Sequence, residues 1–313
     1  MAIEVTPPRT MLELLRFRAE SMFESGNRLI TEFSEVYRAV QPDDTFVCAS
    51  GDYAWKNLPS AGKQLQAQLL PRWNRFSCLI RVLIQDLPQN PKDTINSAFT
   101  DVECALMQEN FMIWASKAHA LQEFKNAIDT VNKVLAEYFG VATEESIAIP
   151  DTSALLANPQ MESWLFEGVA RFECVLTPTV LGELDDHKVN HKNPQVREKA
   201  EQIIRKIKEY RRRGPLLQGV SLVKGTVSLR SIAVEPDMSR TLPWFDPSNK
   251  DDRILASTIE VIRENMGCGV FIVTGDINMQ NKAEFASIPF LEPPIPPAGV
   301  APAGVTLPNA ELL

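Results

Sequence analysis

The residues in this chain best suited to chemistry are carboxylates placed beside apolar runs. Asp151 lies in IAIPDTSALL, Glu183 in VLTPTVLGELDD, Asp251 and Asp252 in NKDDRILAST, and Asp276 in VFIVTGDINMQNKA. Acids at strand ends and helix starts can converge on one sheet edge, where hard divalent cations offset their mutual repulsion. Such a centre cleaves phosphodiesters, and it needs neither histidine nor cysteine. Each acid alone also has a plainer reading. Asp151, followed by Thr152 and Ser153, suits a helix cap, and Asp251 and Asp252 suit the free N–H groups of a first turn. The hydroxyls of Thr152, Ser153 and Thr274 are placed to hold a water or a nonbridging phosphate oxygen, or to cap locally.

The elements that must position these acids follow Gly140. Short runs rich in Val and Ile, IAIP, FECVLTP and GVFIVT, alternate with helical patterns at 164–172, 194–213 and 253–266. That rhythm predicts an α/β fold, a mostly parallel sheet covered by helices on both faces. GVSLVKGTVSLRSIAVE, alternating about Gly225, predicts a β-hairpin or an extended excursion from that sheet. Asp151 and Asp276 then fall at the carboxyl ends of strands. Glu183 starts a helix with Leu184 buried beneath it, and Asp251 and Asp252 open another.

Residues 1–140 read as an N-terminal all-helical domain, 141–293 as the α/β unit and 294–313 as a Pro- and Ala-rich extended tail. Helices are expected over 10–40, 62–87 and 94–139, the last broken near Ala115 or His119. Pro42, Gly51, Pro59, Pro88 and Pro91 mark the breaks, and Pro71 a kink or a helix start. Phe99, Leu106, Met107, Phe111, Ile113 and Trp114 are expected in the bundle core. With 313 residues and 44% apolar content the chain has material for a large core. No run reaches eighteen apolar residues and the start lacks a secretory pattern, which predicts a protein not associated with membranes. Five scattered cysteines, none in a CxxC pair, predict buried thiols in a reducing, cytoplasmic compartment. The net charge of -8 argues against a surface that grips nucleic acid everywhere. From Arg197 to Arg213, however, eight Arg or Lys against three Glu make a +5 segment, while the rest totals -13. On that helix Arg205, Lys208, Arg211 and Arg212 are candidates for holding an RNA backbone, or belong to an ordinary solvated face.

Taken in order, the acids resemble the PIN domain family of metal-dependent ribonucleases over about 147–293. Asp151 with Thr152 and Ser153 resembles the family's opening Asp-Thr-Ser, and Glu183 in Val180-Leu181-Gly182-Glu183-Leu184-Asp185 its first-helix glutamate. Asp251 in Asp251-Asp252-Arg253-Ile254-Leu255-Ala256 resembles the third acid, and Asp276 in Val273-Thr274-Gly275-Asp276 the fourth. In flavour the match is similar to the larger PIN domains that accompany PhoH-type ATPases, although no GxxxxGK[ST] motif is present. Adjacent side chains at a helix start are expected to diverge, and family spacing selects Asp251 over Asp252. Gly182 stands where that subgroup often carries another Glu, so one outer carboxylate is expected to be missing.

The resemblance implies an endoribonuclease in which Asp151, Glu183, Asp251 and Asp276 hold one or two Mg²⁺ or Mn²⁺ ions, leaving 5′-phosphate and 3′-hydroxyl ends. Thr152, Ser153, Asp252 and Thr274 would support the ligands or hold water. The alternative is a non-catalytic RNA- or protein-binding scaffold that retains the fold. In the enzyme the N-terminal helices would supply oligomerisation or a surface for a regulatory protein partner. His187 and His191, four apart, lack a third soft ligand for zinc and are expected at the surface. A phosphotransferase would place a second acid where Ser153 stands. Trp244 and Phe245 are either a stacking platform or a loop anchor.

Overall fold

The computed structural model describes residues 10–38, 53–109, 111–112, 114–140, 143 and 145–295. Thr10 starts α1 (Met11–Arg28) through a capping box: its hydroxyl accepts from the Glu13 N–H, and the Glu13 carboxylate accepts from the Thr10 N–H. The helix widens into a π-turn, Leu29–Phe33, and then stops. The helix expected to reach residue 40 gives way instead to strand β1 (Val36–Arg38). It pairs antiparallel with β2 (Tyr53–Trp55), which pairs with β3 (Phe111–Met112). This small sheet has no counterpart in the helical periodicity, because strands of two or three residues are shorter than any detectable period.

Three more helices complete this half: α2 (Ser60–Leu83), α3 (Gln89–Met107) and α4 (Lys117–Phe139). The long third segment divides between 108 and 116. Gln108 ends α3 with a left-handed φ of 55°, and the Ser116 hydroxyl caps α4 by accepting from the His119 N–H. Pro71 starts no helix, for it lies well inside α2, where it leaves the carbonyl one turn earlier without its usual donor. Pro91 lies in the first turn of α3 rather than in a break, a place where a missing N–H removes no helical bond. Phe99, Leu106 and Trp114 are buried as expected, whereas Met107 is exposed. The Phe111 side chain and Ile113 lie outside the described residues. Of the cysteines, Cys174 and Cys268 are buried, Cys78 is half-buried and Cys104 is exposed, all as free thiols. Cys48 lies outside the described residues.

The remaining elements are β4 (Ser146–Pro150), α5 (Thr152–Ala157), β5 (Phe172–Leu176), α6 (Pro178–Asn190), α7 (Pro194–Arg211), β6 (Val220–Val223), β7 (Val227–Ser231), α8 (Lys250–Glu264), β8 (Gly269–Val273), α9 (Ile277–Ala286) and β9 (Phe290–Leu291). They form a six-stranded sheet of order β6-β7-β5-β4-β8-β9. All neighbours are parallel except β6 and β7, the hairpin, which turns at Gly225 with φ +80°. Every residue of β8 is buried, as expected of a strand covered on both faces.

The helix expected over 164–172 does not form. Trp164 and Phe166 are buried while Leu165 between them is exposed, an alternation that a 3.6-residue repeat cannot serve. A short 3₁₀ turn, Met161–Ser163, leads instead into a bridge between Phe166 and Val169. Phe166 packs edge-on against Phe172 and Phe271, with ring centroids 5.3 and 5.1 Å apart.

Glu162 in this turn accepts from the Tyr210 hydroxyl at 2.8 Å and pairs with Lys206, tying the turn to α7. Burial pushes the Glu162 carboxyl up, but the bonds from Lys206 and Tyr210 outweigh it and leave it below the ordinary Glu range. A lowered carboxyl contributes stability above its unfolded pKa and loses it as pH falls through its folded pKa. Glu162→Gln should therefore flatten the acid limb of the stability–pH curve below about pH 4.5, by no more than about 1 kcal/mol after solvent screening. Denaturant melts at pH 7 and pH 3.5 check this; an unchanged acid limb refutes it.

One continuous set of buried apolar residues runs through both halves. Polar contacts reinforce the junction. Arg240 and Arg263 both pair with Asp86, and Arg240 holds its carboxyl below the ordinary Asp range despite some burial. The part of the expected tail beyond residue 295 lies outside the described residues. Among the described residues no helix is long and apolar enough to cross a membrane.

Candidate carboxylate site at the sheet edge

The carboxyl edge forms around β4, the central strand: the chain crosses from it to β5 on one side and, after β7, comes back past it to β8 on the other. Such a reversal opens a crevice beyond the strand ends. Asp151 follows β4 and extends the sheet by donating its N–H to the Val273 carbonyl at 3.0 Å. Its side chain caps α5, accepting from the Ala154 N–H at 2.7 Å and from the Ser153 hydroxyl at 2.8 Å. The cap and the site are the same carboxylate. Thr274, fully buried after β8, donates its hydroxyl to Asp151 Oδ2 at 2.5 Å and accepts the Asp276 N–H at 3.0 Å. Asp276 caps α9 through the Asn278 N–H at 2.8 Å.

Asp151 is only 6% exposed. Burial pushes its carboxyl above the ordinary Asp range, and the charge of Asp276 adds to the rise. Together these outweigh the opposing bonds from Thr274, Ala154 and Ser153.

Glu183 lies in the second turn of α6 rather than at its start. The Thr152 hydroxyl donates to it at 2.6 Å, which links it to the residue after Asp151. Gly182 beside it is exposed, and a Cβ there would meet nothing within 4 Å. The absent outer carboxylate is therefore a matter of residue choice and not of space. Gly182→Ala should stabilise α6 by about 0.5–1 kcal/mol, since it only restricts the unfolded chain; a fall in thermal midpoint would refute this.

Asp251 and Asp252 both open α8, capped by Asn249. Instead of diverging fully, the two side chains share a partner: Lys282 reaches both, at 3.2 Å from Asp251 and 2.9 Å from Asp252. The difference lies in what else they do. Asp252 is buried and also accepts the Asp246 N–H at 2.9 Å, so it orders the preceding loop. Asp251 is more exposed and has no second partner among the described residues.

Two lysines that sequence reasoning passed over stand among these acids. Lys250 lies 3.6 Å from both Glu183 and Asp186, and Lys282 also donates to Asn249. Burial lowers the Lys282 pKa, but the facing Asp252 and Asp251 carboxylates more than restore it, leaving the amine above its ordinary value. The sequence carried a signal for both, since Lys250 immediately precedes Asp251 and Lys282 lies six residues after Asp276.

Asp151, Glu183 and Asp276 are thus brought together through two threonine hydroxyls; Asp251 is tied by Lys282 to Asp252, and only its chain neighbour Lys250 reaches Glu183 among the described residues. The acids do not close into a single ligand sphere: among the described residues no three His, Cys, Asp or Glu side chains lie close enough to hold one metal ion. Capping bonds and ammonium groups occupy the oxygens that would have to turn inward. The donor set still fits Mg²⁺ or Mn²⁺ chemically. It is all oxygen, and such ions bind through one or two carboxylates plus waters. The raised, buried Asp151 beside Asp276 is where a divalent charge would be most strongly favoured.

The remaining sequence candidates fall outside this edge. His187 and His191 pack ring against ring at 5.1 Å, and among the described residues no third ligand joins them. Arg205, Lys208 and Arg211 are exposed on α7 and Arg212 is exposed just past its end, with Arg205 paired to Glu201. Arg211 borders a recess with Pro178 and Leu181 of α6 and Ser231 at the end of β7, so the basic helix terminates on the carboxyl side of the sheet. Trp244 contacts both Phe245 and Phe285 edge-on, at 6.5 and 5.5 Å.

Residues 148–292 match the family model described as PIN domain. No curated protein matches the chain.

Proposed function

We propose, from the PIN domain that residues 148–292 form and from the metal-dependent nucleases that generally make up that family, that this protein is a Mg²⁺- or Mn²⁺-dependent endoribonuclease. It acts at the carboxyl edge of its sheet. The observation that carries this reading is Asp151: a buried acid with a raised pKa, held at the strand crossover and facing a second acid. Asp151 and Asp276, with Glu183 and Asp251 alongside, would hold the metal. When bound, the metal supplies an activated water and charge stabilisation at the phosphate. The chain's own residues orient and neutralise. Thr274 and Ser153 fix the Asp151 carboxylate, Thr152 fixes Glu183, and Lys250 and Lys282 place positive charge where a phosphodiester accumulates negative charge. The exposed end of α7 would lend Lys208, Arg211 and Arg212 to the RNA backbone, and Arg205 once it leaves Glu201.

Cleavage of mixed single-stranded and structured RNA with Mn²⁺, comparing the parent with Asp276→Asn, tests this. No metal-dependent cleavage of any RNA, together with no metal binding by titration, sinks it. Two results independent of turnover are also expected. Mn²⁺ at about 100 times its Kd should stabilise the parent by about 2.7 kcal/mol in thermal melts. Thr152→Val, which strips Glu183 of its closest donor, should lower metal affinity by about 10–100-fold. A second reading, a nucleic-acid- or protein-binding scaffold on the same fold, is favoured by the ammonium groups of Lys250 and Lys282 already seated among the acids. Absence of metal-induced stabilisation would select it.

A further inference from the structure

Lys282 and Asp252 do not end the site. They also border a recess of about 250 Å³ with Trp244, Phe245 and Phe285. Trp244 and Phe285 remain 37% and 51% exposed, although they are large apolar rings. Lys282 and Phe285 are three residues apart on α9 and so share a face. On the far side of Phe285 the N-terminal helices take over. The Arg75 guanidinium of α2 lies over the Phe285 ring, 5.0 Å from its centroid, and Arg18 of α1 donates to the Ser287 hydroxyl at the end of α9. Arg72 joins them around a second recess, also of about 250 Å³, where its contact is the Ser21 hydroxyl at 3.1 Å.

These three arginines crowd one another. Burial and the charges of Arg75 and Arg72 lower the Arg18 pKa, against a weaker pull from Glu284. Among the described residues none of the three has a carboxylate within ion-pairing distance, although acids outnumber bases in the chain by 40 to 32. A protein with spare carboxylates that leaves three adjacent guanidinium groups satisfied only by hydroxyls and a ring has a surface complementary to an external anion. The exposed rings beside them add a second requirement, because their faces suit flat unsaturated groups.

We infer that a single-stranded RNA leaves the carboxylate edge along α9, lays bases against Trp244 and Phe285, and sets its phosphates on Arg75, Arg72 and Arg18, so that the N-terminal helices form part of the substrate track. The inference rests on the nuclease reading for its direction of travel. It assigns the helical region a role in binding substrate. A duplex does not satisfy the surface, since its bases keep their faces buried in the stack, whereas an unpaired strand offers both phosphates and ring faces. The ten residues of α9 set the length of this path at about 15 Å. Arg75 suits the junction because a guanidinium can stack on a ring and still direct N–H donors at phosphate.

Fluorescence anisotropy of the full chain with a labelled single-stranded RNA of about twelve nucleotides, in EDTA so that cleavage is silent, tests the track. Arg72→Gln/Arg75→Gln should weaken binding about 10-fold or more. The slope of log affinity against log salt should become shallower by about 1.4, the value for two lost single-strand phosphate contacts. Trp244→Ala should cost about 5-fold or more on the single strand and nothing on a duplex of the same sequence. Arg72→Gln alone, at an exposed position bonded among the described residues only to a serine hydroxyl, secures the result if the double variant is poorly folded. Unchanged affinity and salt slope, preference for the duplex, or equal displacement by poly-glutamate would each overturn the inference. If the parent cleaves with Mn²⁺ while the arginine variants bind and cleave as it does, the track fails and the nuclease reading stands. If the variants lose binding but the parent never cleaves, the nuclease reading fails and the track stands.

Discussion

Asp151→Asn should reduce metal-dependent RNA cleavage by more than about 100-fold while leaving the metal-free protein as stable as the parent or more so. Removing a group that merely supports a metal ligand already costs about 10–100-fold, so removing the central proposed ligand should exceed that range. The fold has no corresponding need for the charge. Asn caps a helix as well as Asp does: its amide oxygen can accept the Ala154 N–H in place of Oδ1, while its NH2 group, in place of Oδ2, donates to the Thr274 hydroxyl oxygen and so reverses that bond. What disappears is the unfavourable burial of a charge beside Asp276. Cleavage and thermal melts with and without Mn²⁺ should therefore move in opposite directions. If the variant loses stability in EDTA as well as activity, Asp151 is a structural acid, and the nuclease reading loses the observation that carries it.

Trp164→Ala should be the most destabilising single change outside the site, at about 3–5 kcal/mol. The indole is 1% exposed, packs edge-on against Phe166 at 6.0 Å and donates to the Asn158 carbonyl at 3.1 Å. Truncation opens a large cavity and leaves a buried carbonyl without its donor. Asn158 in turn donates to the Pro294 carbonyl, so the same change loosens the chain where it leaves β9. A fall of about 6 °C or more in thermal midpoint is expected. A loss below about 1 kcal/mol would show that the aromatic cluster of Trp164, Phe166, Phe172 and Phe271 is not the keystone of this half.

Legibility differed sharply between parts of the chain. The strands 146–150, 172–176 and 269–273 were readable because each is a short Val- or Ile-rich run ended by a polar turn. The hairpin was readable from alternation about one glycine that must take a positive φ. The segment 161–170 was not, because its burial alternates by two over too few residues to distinguish from a helix. Met107 illustrates a limit of the same kind: periodicity places it near an apolar stripe, but only the packing partners show that it faces solvent. The pair Asp251 and Asp252 was unreadable in detail, since a lysine about thirty residues away reaches both.

Residue types and their order alone determined that five acids would stand beside apolar runs, two of them at strand ends and the others at helix starts, that the sheet would be mostly parallel, and that the first 140 residues would be chiefly helical, since these follow from local periods and strand-end chemistry. Tertiary structure decided the rest. It set Thr274 between Asp151 and Asp276, seated Lys250 and Lys282 among the carboxylates, and carried Arg75 onto Phe285 across 210 positions of sequence. Contacts between elements depend on the order of strands in the sheet and on which helix face meets which neighbour. Neither quantity is written in any local window of the chain.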